Sequence, residues 1–309
     1  MAGTDYSKTS QPPFAKALLR RALLLPYVNT AVVAALRALP DYPWKSRVPV
    51  AGRARLRLDD GGSIELLRAE RCHVAKEIFW GRGTLGTPAE RLALDLAVRL
   101  SADAALFLDI GAYTGLFALA VARRNPALVA HAYEIVGDNF LLLWENVMHN
   151  DLVGRVEPHL VALGGERGAI HVPPSMGAGT LASSVALDSS SPGGVRIPVD
   201  TLDALYAGFE GRVVVKIDVE GFEWDIFQGG ERFIERNRPD IVCEVLRRAT
   251  HVADMEAFLR RVGYRVYHIS DAGLREAERI VAVKLERDWL FSTRTPQELR
   301  ELGFPIAGA

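Results

Sequence analysis

From residue 88 onward, short apolar runs alternate with longer stretches of helical periodicity, and this alternation constrains the fold more than any other feature. The predicted strands cover residues 104–110, 129–134, 156–162, 213–219, 241–245, 265–269 and 280–284. Strands that alternate with helices form a mostly parallel sheet with helices packed on both faces. The sequence therefore predicts an α/β domain over residues 88–309, preceded by a separate cap over residues 1–87.

Length and charge narrow the class of protein. The chain has 309 residues, of which 49% are hydrophobic, enough for one large core. With 37 basic and 38 acidic residues the net charge is −1, which gives no overall reason to expect a nucleic acid partner. Cys72 and Cys243 are far apart and form no C-x-x-C pair, so we predict no disulfide and a cytoplasmic location.

The N-terminal region contains the one stretch that resembles a membrane segment. Its apolar run, residues 22–36, is interrupted by Pro26 and Asn29 and is shorter than the 20 or so residues that a bilayer span needs. We predict two short amphipathic helices broken near Pro26, without stable membrane insertion. Packing on the main domain is the favoured role, and peripheral attachment to a membrane is the alternative. A β-hairpin over residues 53–68 completes the predicted cap.

A glycine-containing turn links the predicted strand 104–110 to the next helix. Asp109 closes the strand, and Gly111 and Gly115 follow in the turn. Glycines at such a turn let the backbone approach a ligand at the carboxyl edge of the sheet. A dinucleotide-binding enzyme has a further glycine where Tyr113 stands, so Tyr113 disfavours a nicotinamide-dependent dehydrogenase.

A second acidic residue, Glu134, ends the next predicted strand. A carboxylate at this position is suited to a ribose, because each of its oxygens can accept a hydrogen bond from one hydroxyl. Asp109 in turn offers a carboxylate to a cationic group or a hydroxyl. Together the two acids predict a site for a ligand that contains a nucleoside.

Three charged residues stand at the carboxyl end of the predicted strand 213–219. Because side chains alternate along a strand, Lys216, Asp218 and Glu220 face the same side. Charges at the end of an apolar strand are costly to bury without a use, so these three are candidate catalytic residues. The structural alternative is an ion pair of Lys216 with a carboxylate, with Glu220 as an acid at a helix N-terminus.

Taken together, these motifs resemble the FkbM family of S-adenosylmethionine-dependent methyltransferases over about residues 77–292. The matching segments are FLDIGAYTGLFAL (107–119), EIVGDNFLLLWENVMHND (134–151), PVDTLDAL (198–205), VVKIDVEGFEWDIFQGGERFI (213–234) and RPDIVCEV (238–245). The KIDVEG stretch with the later RP-x-I-x-x-E is the most specific. One departure is Val136, which stands near where the family has a proline after the glutamate.

The resemblance implies a Rossmann-like class I methyltransferase sheet that binds S-adenosylmethionine. It also implies O-methylation of a hydroxyl on a sugar, glycolipid or secondary metabolite. The implied cofactor-binding residues are Asp109, Gly111 and Gly115 at the methionine part, Tyr113 beside it, Glu134 at the ribose, and Ala162 at the end of the predicted strand 156–162. N- or C-methylation and a non-catalytic scaffold that acts through protein partners are the alternatives.

Methylation of an alcohol releases a proton, so a base is expected near the acceptor. Asp218 and Glu220 are the candidates, with Lys216 as a third catalytic residue. We predict no metal ion. The alternative is that Glu244, at the end of the predicted strand 241–245, joins Asp218 and Glu220 to hold Mg²⁺. The identity of the acceptor and the oligomeric state remain open.

Overall fold

The computed structural model of the chain describes residues 14–39, 45, 48–59, 61–172, 194–282 and 286–307. Its helices are α1 (Phe14–Leu23), α2 (Pro26–Ala38), α3 (His73–Trp80), α4 (Pro88–Leu100), α5 (Leu116–Arg124), α6 (Gly137–His149), α7 (Leu202–Leu205), α8 (Glu223–Gly229), α9 (Glu231–Asn237), α10 (Val252–Val262) and α11 (Pro296–Glu301). Its strands are β1 (Ala54–Arg57), β2 (Ser63–Leu66), β3 (Leu106–Ile110), β4 (Val129–Tyr133), β5 (Val156–His159), β6 (Ala162–Leu163), β7 (Gly168–Val172), β8 (Val195–Asp200), β9 (Val213–Ile217), β10 (Asp240–Glu244), β11 (Arg265–Ser270), β12 (Gly273–Ala277) and β13 (Asp288–Ser292).

An eight-stranded sheet in the order β12-β11-β13-β10-β9-β3-β4-β5 forms the centre of the molecule. The strands from β10 to β5 pair in parallel, whereas β13 is antiparallel to both β10 and β11. Helices cover both faces of this sheet, as the alternating pattern predicts. The predicted α/β class is confirmed.

The central strands are apolar because both of their faces are buried. In β3 every residue is buried, and successive side chains enter opposite layers of the core. Phe107 packs with the layer that includes α4 and α5, whereas Leu106 and Leu108 pack with the layer that includes α8 and α10. This two-sided burial explains why the strand reads as a continuous apolar run.

The two N-terminal helices form as predicted, α1 packs against α2, and α2 packs against the core. Asn29 is buried in α2, where its side-chain amide donates to the Leu23 carbonyl and its oxygen accepts from the Ala51 N–H. Val33 and Leu36, on the same side of the helix, pack against the main core. Among the described residues, no helix is long and apolar enough to cross a membrane.

The predicted hairpin is β1–β2, and asparagines on α6 attach it to the main domain. The Glu65 N–H donates to the Asn150 side chain, and the Leu67 N–H donates to the Asn146 side chain. Asn146 also donates to the Thr114 carbonyl in the turn after β3. The hairpin is therefore connected to the turn where the sequence predicts a ligand.

The single strand predicted over residues 156–162 is wrong, because the chain leaves the main sheet midway. Only β5 stays in that sheet, and the Glu134 N–H donates to the His159 carbonyl at its end. β4 ends at Tyr133, so the chain beyond His159 has no neighbouring strand there. It continues into β6 of a small sheet ordered β6-β8-β7.

Of the strand predicted over residues 280–284, residues 280–282 are described and form no strand, whereas residues 283–284 lie outside the described part of the chain. A tight turn after β11 returns the chain as β12, which takes the sheet edge, and β13 fills the position between β10 and β11. The Ile280 side chain is buried in the core layer that includes α8 and α10. Its N–H donates a hydrogen bond to Glu256 Oε1.

Candidate active site

A cavity of about 660 Å³ opens at the carboxyl ends of β3, β4 and β9. Parallel α/β sheets bind ligands at this edge. The turn after β3, the end of β4, the segment after β9 and the β6–β7 connection form its walls. Of the site residues predicted from the sequence, those that line the cavity are Gly111, Tyr113, Glu134, Ala162, Asp218 and Glu220. Those that lie behind its walls are Asp109, Gly115 and Lys216.

Asp109 supports the wall from behind. Its carboxylate is buried and accepts a hydrogen bond of 3.0 Å from the Ala118 N–H in the first turn of α5. Burial raises the pKa of Asp109 to about 7, against the opposing effect of that hydrogen bond. Asp109 thus fixes the start of the helix that follows the ligand-binding turn.

Gly111 allows two loops to meet closely. Its φ is +82°, and a Cβ built there would overlap the carbonyl oxygen of Asp218. The Asp218 N–H donates to the Ile110 carbonyl at 2.9 Å. Gly115 has a similar role one turn later, because its φ is +88° and a Cβ there would overlap Leu143. The contact at Gly111 is with rigid backbone, whereas that at Gly115 is with the end of a leucine side chain, so the left-handed φ is the main requirement at Gly115.

Tyr113 connects the turn to the cap. It has a left-handed backbone with φ +53°, and its hydroxyl accepts a hydrogen bond of 3.2 Å from the His73 N–H at the start of α3. Burial raises the pKa of the phenol, which keeps it neutral. The ring therefore forms a fixed part of the cavity wall.

Glu134 is held by the backbone that follows it. Its Oε1 accepts hydrogen bonds from the Ile135 N–H at 2.8 Å and the Val136 N–H at 2.7 Å. The side chain is only 5% exposed, and burial raises its pKa to about 7 despite these hydrogen bonds. Glu134 thus presents a carboxylate of fixed orientation to the cavity.

A group of four charged residues, here called the charged cluster, lies at the ends of β9, β10 and β13. Its members are Lys216, Asp218, Glu244 and Asp288. Lys216 Nζ lies 3.4 Å from Asp288 Oδ1 and 3.9 Å from Asp218 Oδ2, and the residue is only 4% exposed. Burial lowers the pKa of Lys216, but these carboxylates outweigh it and raise the pKa above its ordinary value. The ammonium therefore stays charged inside the protein.

Glu244 contacts a basic as well as an acidic side chain, since Arg287 Nε lies 3.2 Å from its Oε1. Burial and the charge of Asp218 raise the pKa of Glu244 to about 9, and the two side chains are hydrogen-bonded. Oxygens of Asp218, Glu220 and Glu244 all lie within 4.8 Å of one another. Glu220 Oε2 accepts a hydrogen bond of 2.6 Å from Arg248, whereas the Asp218 side chain is 38% exposed at the cavity. Asp218 is therefore the more accessible of these two carboxylates.

Asp288 is a site residue that the sequence reasoning missed. It begins β13, directly opposite Glu244 on β10, and reaches Lys216 across the sheet. The apolar run Trp289–Phe291 immediately after it was the available signal, because it marks a strand that begins at Asp288. The β6–β7 wall was predicted only in part, by Ala162, because β6 begins within the single strand wrongly predicted over residues 156–162.

The charge of the cavity lining favours a cationic ligand. Its acidic residues are Glu134, Glu166, Asp218, Glu220 and Asp225, whereas Arg167 is the basic residue among the described lining. A phosphate-bearing ligand would meet repulsion from these carboxylates, but a sulfonium or ammonium group would be stabilised by them.

A comparison with models of known protein families identifies the family of this chain. The family model described as "Methyltransferase FkbM domain" matches residues 109–266, just over half of the chain. The chain belongs to the FkbM methyltransferase family. The family predicted from the sequence motifs is therefore confirmed.

Solved structures with similar folds include several methyltransferases. An FkbM methyltransferase from Methylobacillus flagellatus KT is 15% identical, with a TM-score of 0.41, over 62% of this chain and 44% of that chain. An O-methyltransferase family protein from Burkholderia thailandensis is 13% identical, with a TM-score of 0.36, over 67% of this chain and 58% of that chain. A methyltransferase from Geobacter sulfurreducens is 13% identical, with a TM-score of 0.38, over 67% of this chain and 78% of that chain. This chain thus spans less than half of the Methylobacillus protein. The search of curated proteins found no match to this chain.

Proposed function

We propose that this FkbM methyltransferase transfers the methyl group of S-adenosylmethionine to a hydroxyl of a sugar, a glycolipid or another small molecule. The observation that carries the proposal is the acidic cavity at the carboxyl ends of β3, β4 and β9, with Glu134 and Asp218 on different walls. The cavity of about 660 Å³ lies within the range of roughly 300–1,000 Å³ usual for small-molecule sites.

The residues of the cavity fit the cofactor chemically. S-adenosylmethionine carries a sulfonium and an ammonium charge, which complement the acidic lining. Glu134 would accept the two ribose hydroxyls, because its carboxylate is already oriented by the backbone. Gly111, Tyr113 and Ala162 would contact the rest of the molecule from the surrounding walls. Asp109 and Gly115 would act by shaping the turn from behind.

The proposed chemistry rests on positioning and on one proton acceptor. When bound, S-adenosylmethionine would supply a methyl group on a positively charged sulfur. Asp218 would orient the acceptor hydroxyl for in-line attack and accept its proton. Lys216 Nζ lies 3.9 Å from Asp218 Oδ2 and would hold that carboxylate in place. Glu220 is the less suitable base because Arg248 already binds its carboxylate.

A binding and transfer experiment tests this function. S-adenosylhomocysteine and NAD⁺ are titrated separately into the wild-type protein, and labelled methyl transfer is then measured on hydroxylated and amine acceptors. We expect binding of S-adenosylhomocysteine alone and label on hydroxyls. Label on amines only would replace O-methylation by N-methylation, and a folded protein that binds neither nucleotide would indicate a non-catalytic scaffold.

We further propose a cytoplasmic enzyme without a nucleic acid partner. Cys72 and Cys243 are both buried and free, as expected in a reducing compartment. The net charge of −1 supplies no general attraction to phosphates. A filter-binding measurement with RNA and DNA at low salt checks the proposed lack of a nucleic acid partner. Retention of either nucleic acid would contradict it.

A further inference from the structure

Two histidines and a glutamate converge on the edge of the main sheet. His131 lies on β4 directly opposite Glu157 on β5, and His159 follows two residues later on β5. Because side chains alternate along a strand, all three project from the same face of the sheet. None of them lines the cavity that we assign to methyl transfer.

Their possible ligand atoms lie close together, and one pair has the separation of zinc ligands. His131 Nε2 lies 3.5 Å from Glu157 Oε2, and one ligand atom from each of the three residues lies within 4.8 Å of the others. Tetrahedral Zn²⁺ with bonds of about 2.0–2.1 Å separates its ligand atoms by roughly 3.3–3.5 Å. His159 Nε2 is buried and makes no hydrogen bond, so it lacks the partner that a buried polar atom normally has.

Tyrosines behind the two imidazoles hold them in place. His131 Nδ1 lies 2.6 Å from the Tyr206 hydroxyl, which lies 2.7 Å from the Tyr133 hydroxyl. The Tyr133 ring stacks on His159 with centroids 4.9 Å apart. An Nδ1–H that donates to Tyr206 leaves His131 Nε2 free of a proton and able to bind a metal. Such outer hydrogen bonds orient metal-binding histidines in known sites.

We propose that His131, Glu157 and His159 form a binding site for Zn²⁺ that joins β4 to the edge strand β5. Imidazole nitrogens with one carboxylate suit zinc rather than magnesium. Glu157 is 49% exposed, so the remaining coordination position faces solvent and takes a water molecule. The metal would tie together the strands just before Glu134 and would stabilise the fold independently of methyl transfer.

The alternative explanation is a simple ion pair between His131 and Glu157. It involves only one of the two histidines, because His131 Nε2 is the atom that faces Glu157 Oε2 at 3.5 Å. It also leaves the buried His159 Nε2 without a partner. A metal accounts for both histidines at once.

The test uses tag-free, chelator-treated full-length protein, dialysed against Zn²⁺ and assayed by elemental analysis and thermal unfolding. We expect one zinc per chain in the wild type and a raised Tm, since a ligand that binds only the folded state stabilises it. His159→Ala and Glu157→Gln should each lose zinc. Tyr206→Phe, which keeps all three ligands, should weaken binding by about 10- to 100-fold.

His149→Ala is the matched control. His149 Nε2 also faces a glutamate, Glu65, at 2.8 Å, but no second histidine completes that pair among the clusters that the described residues form. This variant should bind zinc as the wild type does. The proposal is overturned if the wild type binds no zinc, if folded Glu157→Gln and His159→Ala both retain it, or if His149→Ala loses it. Glu157→Gln keeps the test decisive should a histidine variant fail to fold, because its side chain is half exposed.

Discussion

Glu134 and the charged cluster border the same cavity, yet the structure holds them in different ways. Glu134 is fixed by N–H groups of the two residues that follow it. The charged cluster is held by side chains from three strands, with Lys216 between Asp218 and Asp288. A local backbone arrangement tolerates change elsewhere in the protein, whereas a network of buried charges depends on every member. We therefore expect Glu134 to affect binding alone and the charged cluster to affect both chemistry and stability.

The largest effect is expected for Asp218→Asn. Loss of the proton acceptor should reduce methyl transfer by about 10²- to 10⁴-fold, the usual contribution of a positioned acid or base. Turnover is measured with labelled S-adenosylmethionine and the best hydroxylated acceptor found by screening. Glu220→Gln is the control and should reduce turnover less, because Arg248 already occupies that carboxylate. Wild-type turnover in Asp218→Asn would remove this residue from the mechanism.

Lys216→Met should cause the next largest change, a loss of about 3–5 kcal/mol in the free energy of unfolding, because removal of one partner leaves buried carboxylates without a counter-charge. Urea denaturation measures this loss. The double variant Lys216→Met/Asp288→Asn should recover part of it, since Asp288 is the nearest carboxylate to Lys216 Nζ. Equal stability of the single variant and the wild type would show that the charges do not support one another.

The contrast between local contacts and contacts of distant segments also explains which features could be predicted from the sequence. Glu134 could be singled out because it ends a strand that the local pattern marks, the next one after the glycine turn. The alternating pattern likewise predicts the parallel strands, since each lies between helices of clear periodicity. Asp288 was missed because β13 enters the sheet from the C-terminal region and pairs with β10, a contact between distant segments. His159 was unassigned for the same reason, because its ring neighbours His131 and Tyr133 come from β4.

Gly111→Ala tests the contact that joins the two regions. A Cβ there would overlap the Asp218 carbonyl, and φ is +82°, so we expect a loss of about 2–4 kcal/mol in unfolding free energy. Gly154→Ala is a control for backbone strain alone, since φ is +77° with nothing near the added Cβ. Gly137→Ala has neither problem and should change little. Equal losses in Gly111→Ala and Gly154→Ala would rule out the close approach as the cause.

The pH dependence of binding should give a smaller effect. Burial raises the pKa of Glu134 to about 7, and the ionised form is the better acceptor for two hydroxyls. The affinity for S-adenosylhomocysteine should therefore rise by about tenfold from pH 6 to pH 8, as the ionised fraction does. In Glu134→Gln this rise should disappear. If the rise in affinity persists in Glu134→Gln, the titrating group is Asp109, whose pKa is also raised to about 7.

The most direct test of the division between binding and chemistry is calorimetric titration of S-adenosylhomocysteine into Glu134→Ala and Asp218→Asn. Charge-assisted hydrogen bonds to ribose should contribute about 1.5–3 kcal/mol, so Glu134→Ala should weaken binding by roughly 10- to 150-fold. Asp218→Asn should stay within about threefold of the wild type, less than 0.7 kcal/mol. The account is contradicted if Asp218→Asn weakens binding as much as Glu134→Ala, or if Glu134→Ala binds like the wild type.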